Sequence, residues 1–192
     1  MAKIGIYGGT FDPIHLGHLI TAQFVLEQRK LEKILFIPCN ISPHKIGFHS
    51  TPAEHRLNMV KIATASNPLF EVSDYEIQKG DVSYTLDTIK HFVDKGNEIE
   101  LVIGYDNLLV FDKWKEPDEI LKLAKVVVLK RHSQSGENKS NKYFSQVEFL
   151  DTPIIDISST DIRDRVRNRK SIKYLLPDDV IDYINRNELY KI

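Results

Sequence analysis

Lys3-Ile4-Gly5-Ile6-Tyr7-Gly8-Gly9-Thr10-Phe11-Asp12-Pro13-Ile14-His15-Leu16-Gly17-His18 opens the chain, and its reading decides the fold. The apolar run Lys3–Tyr7 predicts a buried strand. Leu16, Leu19, Ile20, Phe24 and Leu26 then predict a helix by their roughly 3.6-residue spacing. Gly8 and Gly9, at the strand end, let backbone N–H groups approach a ligand without Cβ interference. The helix that follows points its free N–H groups and positive dipole end into the same space, which makes an anion site. His15 and His18, three residues apart, share a face of its first turn. A surface histidine pair and a zinc pair are alternatives for these two side chains. Zinc is disfavoured because the only cysteine, Cys39, has no cysteine partner and the spacing is not His-Glu-x-x-His. The glycine pattern fits neither a dinucleotide fingerprint nor a Walker loop.

Outward from this segment, short apolar runs alternate with helical periods. Lys33–Ile37 predicts a second strand, followed by a polar loop through Ser50. Thr51-Pro52-Ala53-Glu54 predicts a helix start with a capping box, Thr51 as cap and Glu54 three residues on. Phe70–Tyr75 reads as a third strand, Thr85–Asp94 as a helix ending at Gly96, and Glu100–Ile103 and Lys125–Leu129 as two more strands. Ser133–Asn141 is a polar loop, and Gln146–Leu150 and Ile154–Ile157 are further extended pieces. Two helices close the chain, one from about Ser159 and one near Pro177-Asp178. This alternation predicts an α/β, Rossmann-like open sheet, mostly parallel, with helices on both faces and a small C-terminal helical segment at about 158–192. At roughly 150 residues per domain, 192 residues predict a single domain spanning 1–192. Ligands of such sheets sit at the carboxyl ends of the strands.

A second anion-binding candidate is Ile157-Ser158-Ser159-Thr160-Asp161-Ile162-Arg163, where an extended segment enters a helix. Three hydroxyls and a guanidinium converge there on a helix N-terminus, although helix capping alone would also explain the hydroxyls. Two such termini in one parallel-sheet domain point to a nucleoside triphosphate. Composition restricts the partners. Lys and Arg total 26 and Asp and Glu 27, a net charge of −1, which argues against nucleic-acid binding as the main task. The longest apolar runs are too short to span a bilayer, so no membrane partner is expected. A lone cysteine and no secretory signal fit a cytoplasmic protein.

The two motifs, Gly8-Gly9-Thr10-Phe11-Asp12-Pro13-x-His15-x-Gly17-His18 and Ile157-Ser158-Ser159-Thr160-x-Ile162-Arg163, resemble the signatures of the nucleotidyltransferase superfamily with the His-x-Gly-His motif. In detail, and over essentially the whole chain, the sequence resembles the bacterial nicotinate-nucleotide adenylyltransferases. Pro38–Lys45, Arg56-Leu57-x-Met59, Ser83-Tyr84-Thr85-x-Asp87-Thr88 and Ile103-Gly104-x-Asp106 followed by Trp114 carry that finer likeness. Ser42 and Phe111-Asp112 depart from the family pattern. The resemblance implies adenylyl transfer from ATP to nicotinate mononucleotide, giving nicotinate adenine dinucleotide and pyrophosphate, with Mg²⁺ carried mainly by ATP.

The resemblance implies His15, His18 and Arg163 as catalytic, and Gly8, Gly9, Thr10, Phe11, Ile157, Ser159 and Thr160 with them as the ATP site. Asn40, Lys45, Tyr84, Thr85, Gly104, Asp106, Trp114 and Arg131 are implied on the acceptor side. Asp12 is left out as a metal ligand, since a structural role in its turn is equally reasonable. Another adenylyltransferase of the superfamily, of the nicotinamide mononucleotide or pantetheine-phosphate type, and a nucleotide-binding module without turnover are the alternatives. A homo-oligomer stays open.

Overall fold

The computed structural model describes residues 1–43, 50–129 and 142–191. Strands β1 (Ala2–Gly9), β2 (Lys33–Pro38), β3 (Phe70–Val72), β4 (Asn97–Gly104), β5 (Ala124–Leu129) and β6 (Glu148–Leu150) form one sheet in the order β3-β2-β1-β4-β5-β6. Every pairing is parallel. The chain steps outward from β1 to β3, then returns to place β4 on the other side of β1. That reversal parts the loops after β1 and β4 and opens a crevice at their carboxyl ends.

Alternation along the strands divides the core in two. Ile34, Phe36 and Val102 face one layer, where α1 (Leu16–Gln28) and α2 (Ala53–Thr64) pack with α7 (Ser159–Arg167) and α8 (Asp178–Arg186). Leu35, Ile37, Leu101 and Ile103 face the other, against α4 (Thr85–Asp94), α5 (Tyr105–Leu109) and α6 (Pro117–Leu123). The period of two in a strand is what lets one continuous apolar run serve both layers. The C-terminal helices are thus part of the first layer, with Ile162, Val180 and Ile184 fully buried. No helix among the described residues is long and apolar enough to cross a membrane.

Several local expectations are corrected. Thr51 does not cap α2: the cap position is Pro52, without a side-chain bond, while the Thr51 hydroxyl bonds the Tyr190 hydroxyl and the Thr51 N–H donates to Asp12 Oδ2 at 3.1 Å. The strand expected over Phe70–Tyr75 stops at Val72, and Tyr75–Lys79 is a short helix, α3, ended by Gly80 in the left-handed region at φ 78°. Gln146 belongs to a 3-10 turn, Lys142–Gln146, ahead of β6. Ile154–Ile157 forms no strand; Ile157 packs on the first core layer and Ile154 is exposed. The Ser133–Asn141 loop lies outside the described residues.

One buried charge ties the sheet to its first layer. The Glu100 carboxylate on β4 is fully buried and accepts from Arg29 Nε (2.7 Å) and Nη2 (3.0 Å), with Lys3 Nζ at 2.9 Å. Burial alone would raise its pKa, but the hydrogen bonds and charges of Arg29 and Lys3 outweigh that and hold it below the ordinary 4.5. A depressed acid contributes stability above its unfolded pKa and loses it as pH falls through the folded value. Glu100→Gln is therefore expected to cost about 1–3 kcal/mol at neutral pH. In denaturant titrations the gap between wild type and variant should narrow as pH falls below the ordinary glutamate range; a gap unchanged throughout the acid range would contradict this account.

Candidate active site

The two signatures, about 150 residues apart in sequence, meet at the turn after β1. Asp12 is buried, and both of its carboxylate oxygens are engaged: Oδ2 by the Thr51 N–H and Oδ1 by the Tyr190 hydroxyl at 2.7 Å. Its backbone carbonyl accepts from Arg163 Nη1 at 2.7 Å, and the next carbonyl, of Pro13, accepts from Ser159 Oγ at 2.8 Å. Arg163 Nη2 also donates to Thr160 Oγ1 at 3.1 Å. The start of α7 is thereby docked onto the start of α1. Ser158 caps α7 by accepting from the Asp161 N–H at 3.0 Å, so the capping role falls to the first serine and the docking role to the second. Of the five guanidinium N–H donors of Arg163, these contacts use two. Burial and the Asp12 charge push the Tyr190 hydroxyl strongly upward, which keeps it a donor.

His15 and His18 lie together at the start of α1, their rings stacked with centroids 3.7 Å apart. Gly17 permits this: a Cβ at that position would come within 3.0–3.1 Å of the His15 ring. Phe11, itself buried, meets His18 edge-on at 5.1 Å. The His15 N–H donates to His18 Nδ1 at 3.2 Å. A lone pair on Nδ1 requires the one ring proton of neutral imidazole to sit on Nε2. Burial, and next the charge of His15, hold His18 well below the ordinary 6.5. The site therefore holds a neutral Nε2–H donor beside a helix N-terminus, suited to an anionic oxygen.

Next to this turn is a cavity of about 480 Å³ at the carboxyl ends of the central strands. Gly8, Gly9 and Thr10 form part of its lining, and Tyr84, Thr85 and Trp114 another part. Six of the candidate residues are thus brought to one cavity. His15, His18, Ser159 and Arg163 are not in its lining, so anion site and cavity adjoin through the Gly8–Phe11 turn rather than coincide. Tyr84 is the cap position of α4, whose first two N–H groups, those of Thr85 and Leu86, have no intrahelical acceptor. Trp114 is half-buried, and its ring rests on Phe111 at 5.1 Å.

Other candidates are placed differently. Asn40 lies beside the cavity, its Nδ2 donating to the Asp81 carbonyl at 3.3 Å. Its N–H meets Ser83 Oγ at 2.9 Å, and the Ser83 N–H meets the Ile41 carbonyl at 2.9 Å, which joins the loop after β2 to the start of α4. Gly104 caps α5 and Asp106 sits in its first turn, while Asn107 and Val110 supply that wall. Lys45 and Arg131 lie outside the described residues.

Sequence reasoning missed Glu76, Thr88, Lys113 and Lys115, all on the cavity lining. Buried Glu76 accepts from Thr88 Oγ1 at 2.6 Å; burial raises its carboxyl above 4.5, against the lowering by Thr88 and Ser83. Arg56, also missed as a site element, is fully buried and donates to the carbonyls of Thr10, Cys39, Asn40 and Thr51. A buried arginine surrounded by carbonyls leaves no local signature beyond its own residue type. Among the described residues, no group of three or more His, Cys, Asp or Glu could hold a metal ion.

The family model described as cytidylyltransferase-like matches residues 6–165. The chain is 40% identical to a protein of Caldicellulosiruptor bescii, over 98% of this chain and 99% of that one, and 41% identical to one of Clostridium novyi, over the whole of both. Each of those is described as "Probable nicotinate-nucleotide adenylyltransferase". Among solved structures, the nicotinic acid mononucleotide adenylyltransferase of Plasmodium falciparum complexed with NaAD aligns over 99% of this chain and 98% of that one, at 21% identity and a TM-score of 0.81. At that identity the likeness is one of fold.

The tautomer and neutrality of His18 are open to direct measurement. Nitrogen-15 spectra of the ring should show a protonated Nε2 and an unprotonated, hydrogen-bonded Nδ1, with no midpoint near 6.5. A doubly protonated ring at that pH would contradict the geometry.

Proposed function

The chain belongs to the nicotinate-nucleotide adenylyltransferase family, and on that premise we propose that it transfers the adenylyl group of ATP to the phosphate of nicotinate mononucleotide. The products are nicotinate adenine dinucleotide and pyrophosphate, a step of NAD biosynthesis in the cytoplasm. The observation that carries the reading is the docking of the two anion-suited helix starts, α1 and α7, at Asp12 and Pro13 beside a cavity ended by a third, α4.

In this mechanism a phosphate oxygen of the mononucleotide attacks the α-phosphorus of ATP. The bond from that phosphorus to the β-bridging oxygen breaks, and pyrophosphate leaves with the electron pair. The attacking phosphate has a second pKa near ~6, so it is mostly dianionic at neutral pH and needs no general base. Positioning and charge stabilisation are what the protein supplies. His18 donates its Nε2–H to the α-phosphate, with His15 stacked beside it. Because His18 is held neutral, it offers this bond without a proton transfer. Ser159, Thr160 and Arg163 hold the β and γ phosphates, and Gly8, Gly9, Thr10, Phe11 and Ile157 shape the nucleotide side.

Mg²⁺ enters as part of the MgATP substrate. Asp12 already has both oxygens engaged by Thr51 and Tyr190, and no step is assigned to a metal on it. On the acceptor side, Trp114 offers an aromatic face to the pyridine, and Thr85 with the free N–H groups of α4 receives its carboxylate. Asn40, Lys45, Tyr84, Gly104, Asp106 and Arg131 keep the acceptor-side positions that the family resemblance implies. The amide analogue would turn its NH₂ toward donors, a mismatch worth a few kcal/mol when buried, so the acid is preferred.

Pyrophosphate release, followed with ATP and nicotinate mononucleotide, nicotinamide mononucleotide or phosphopantetheine in turn, tests the activity and its acceptor together. The expected order of kcat/KM has the nicotinate form first; release with phosphopantetheine alone would contradict the assignment. His18→Ala should lower kcat by roughly 10²–10³, the worth of one preorganised donor, with little change in Tm. Arg163→Ala should weaken ATP more than the mononucleotide in separate titrations. Equal weakening of both would assign Arg163 to the docking of α7 alone.

A further inference from the structure

Trp114 and Lys115 follow the 3-10 turn Phe111–Lys113, and both line the cavity. The Lys115 ammonium donates to Asp87 Oδ1 at 2.9 Å and lies 4.9 Å from the centre of the Tyr84 ring. Asp87 is in the first turn of α4 and Tyr84 is its cap position. One lysine therefore fixes the Trp114 segment against the same helix start that ends the acceptor cavity. Asp87 taken alone would oppose an anion at that helix start. Its other oxygen is paired with Lys79, so this carboxylate lies between two ammonium groups, which offset its charge; Asp81 and Glu76 face Lys79 as well, and Lys115 is the cation of the set that lines the cavity. Glu76, the acidic residue of the lining, turns its carboxyl to the hydroxyls of Thr88 and Ser83.

Taking the proposed adenylyl transfer as given, we infer that Lys115 is a specificity-determining residue, a cation that adds to the α4 N–H groups in favouring a pyridine carboxylate over the neutral carboxamide. Lys113 lines the same cavity and adds charge of the same sign; Lys115 is the one held in place at the α4 start, by Asp87 and the Tyr84 ring. Asp87 and Tyr84 preorganise the ammonium, so little side-chain freedom is lost when substrate arrives. With the side chain of Lys115 40% exposed and that of Asp87 25% exposed, the pair contributes little to stability, and its removal leaves the fold intact. The amide carries no charge and gains nothing from the ammonium. The acid gains the attraction of one unit charge across a few ångströms of partly solvated space, worth about five- to tenfold in affinity.

The test is kcat/KM for nicotinate and nicotinamide mononucleotides, at fixed MgATP, in wild type, Lys115→Met and Lys115→Arg. Lys115→Met should lower the acid-to-amide ratio by about five- to tenfold, through KM for the acid, and raised salt should shrink the difference from wild type. Lys115→Arg should keep most of the ratio. An unchanged ratio in Lys115→Met, or an equal rise in KM for both substrates, would overturn the inference while leaving the activity standing. A wild type without preference for the acid would overturn this inference and the acceptor assignment together.

Discussion

The guanidinium of Arg56 is buried beneath the carboxyl ends of β1 and β2 and donates to four backbone carbonyls there, those of Thr51, Thr10, Cys39 and Asn40, at 2.7–3.0 Å. Strand ends facing a crevice leave carbonyls that neither the sheet nor a helix can satisfy, and one planar five-donor group answers four of them at once. Among the described residues no carboxylate pairs with it. Hydrogen bonds to a charged group are worth about 1.5–3 kcal/mol each, while desolvating the cation costs several kcal/mol. The bonds make burial of the cation tolerable, and what the arrangement supplies to the site is geometry. Thr10 and Cys39 line the cavity, and Thr51 leads to Asp12. Arg56 thus sets both the cavity wall and the turn that carries the anion site.

Around that centre a chain of contacts extends to the C-terminus. Thr51, fixed by Arg56 through its carbonyl, passes its N–H to Asp12; Asp12 receives Tyr190 from 178 residues away and Arg163 from α7. The result is a rigid frame for groups that do little covalent chemistry. A reaction between two polyanions depends on donors already aimed where charge develops, which a clasped turn provides better than a free loop. His18, neutral with its proton on Nε2, is one such preset donor.

Much of this was legible in the chain. The strand Lys3–Tyr7, the double glycine and the histidine pair located the turn at which α1 begins and α7 docks, because apolar period and glycine chemistry act locally. Parallel pairing followed from strand–helix alternation, and all six strands are parallel. What escaped depends on contacts between distant segments. Thr51 reads as a cap, but its hydroxyl goes to Tyr190 from the far end of the chain and its N–H to Asp12. The Phe70–Tyr75 stretch reads as one strand because its apolar pattern does not reveal that Ser73 makes the last bond to the sheet, to the Phe36 carbonyl. Lys113, Lys115 and Glu76 go unnoticed, since nothing local shows that the fold brings them onto one cavity.

The central claim is that the bond broken lies between the α- and β-phosphates of ATP and that the mononucleotide phosphate takes the α-phosphorus. ATP labelled with phosphorus-32 at the α position tests this most directly. With nicotinate mononucleotide and Mg²⁺ present, the label should appear in the dinucleotide, and pyrophosphate should leave unlabelled in equal amount. Unlabelled orthophosphate with the label in ADP would mean cleavage at the γ-phosphate, and label in free AMP would mean hydrolysis without an acceptor. Either result would contradict adenylyl transfer by this site.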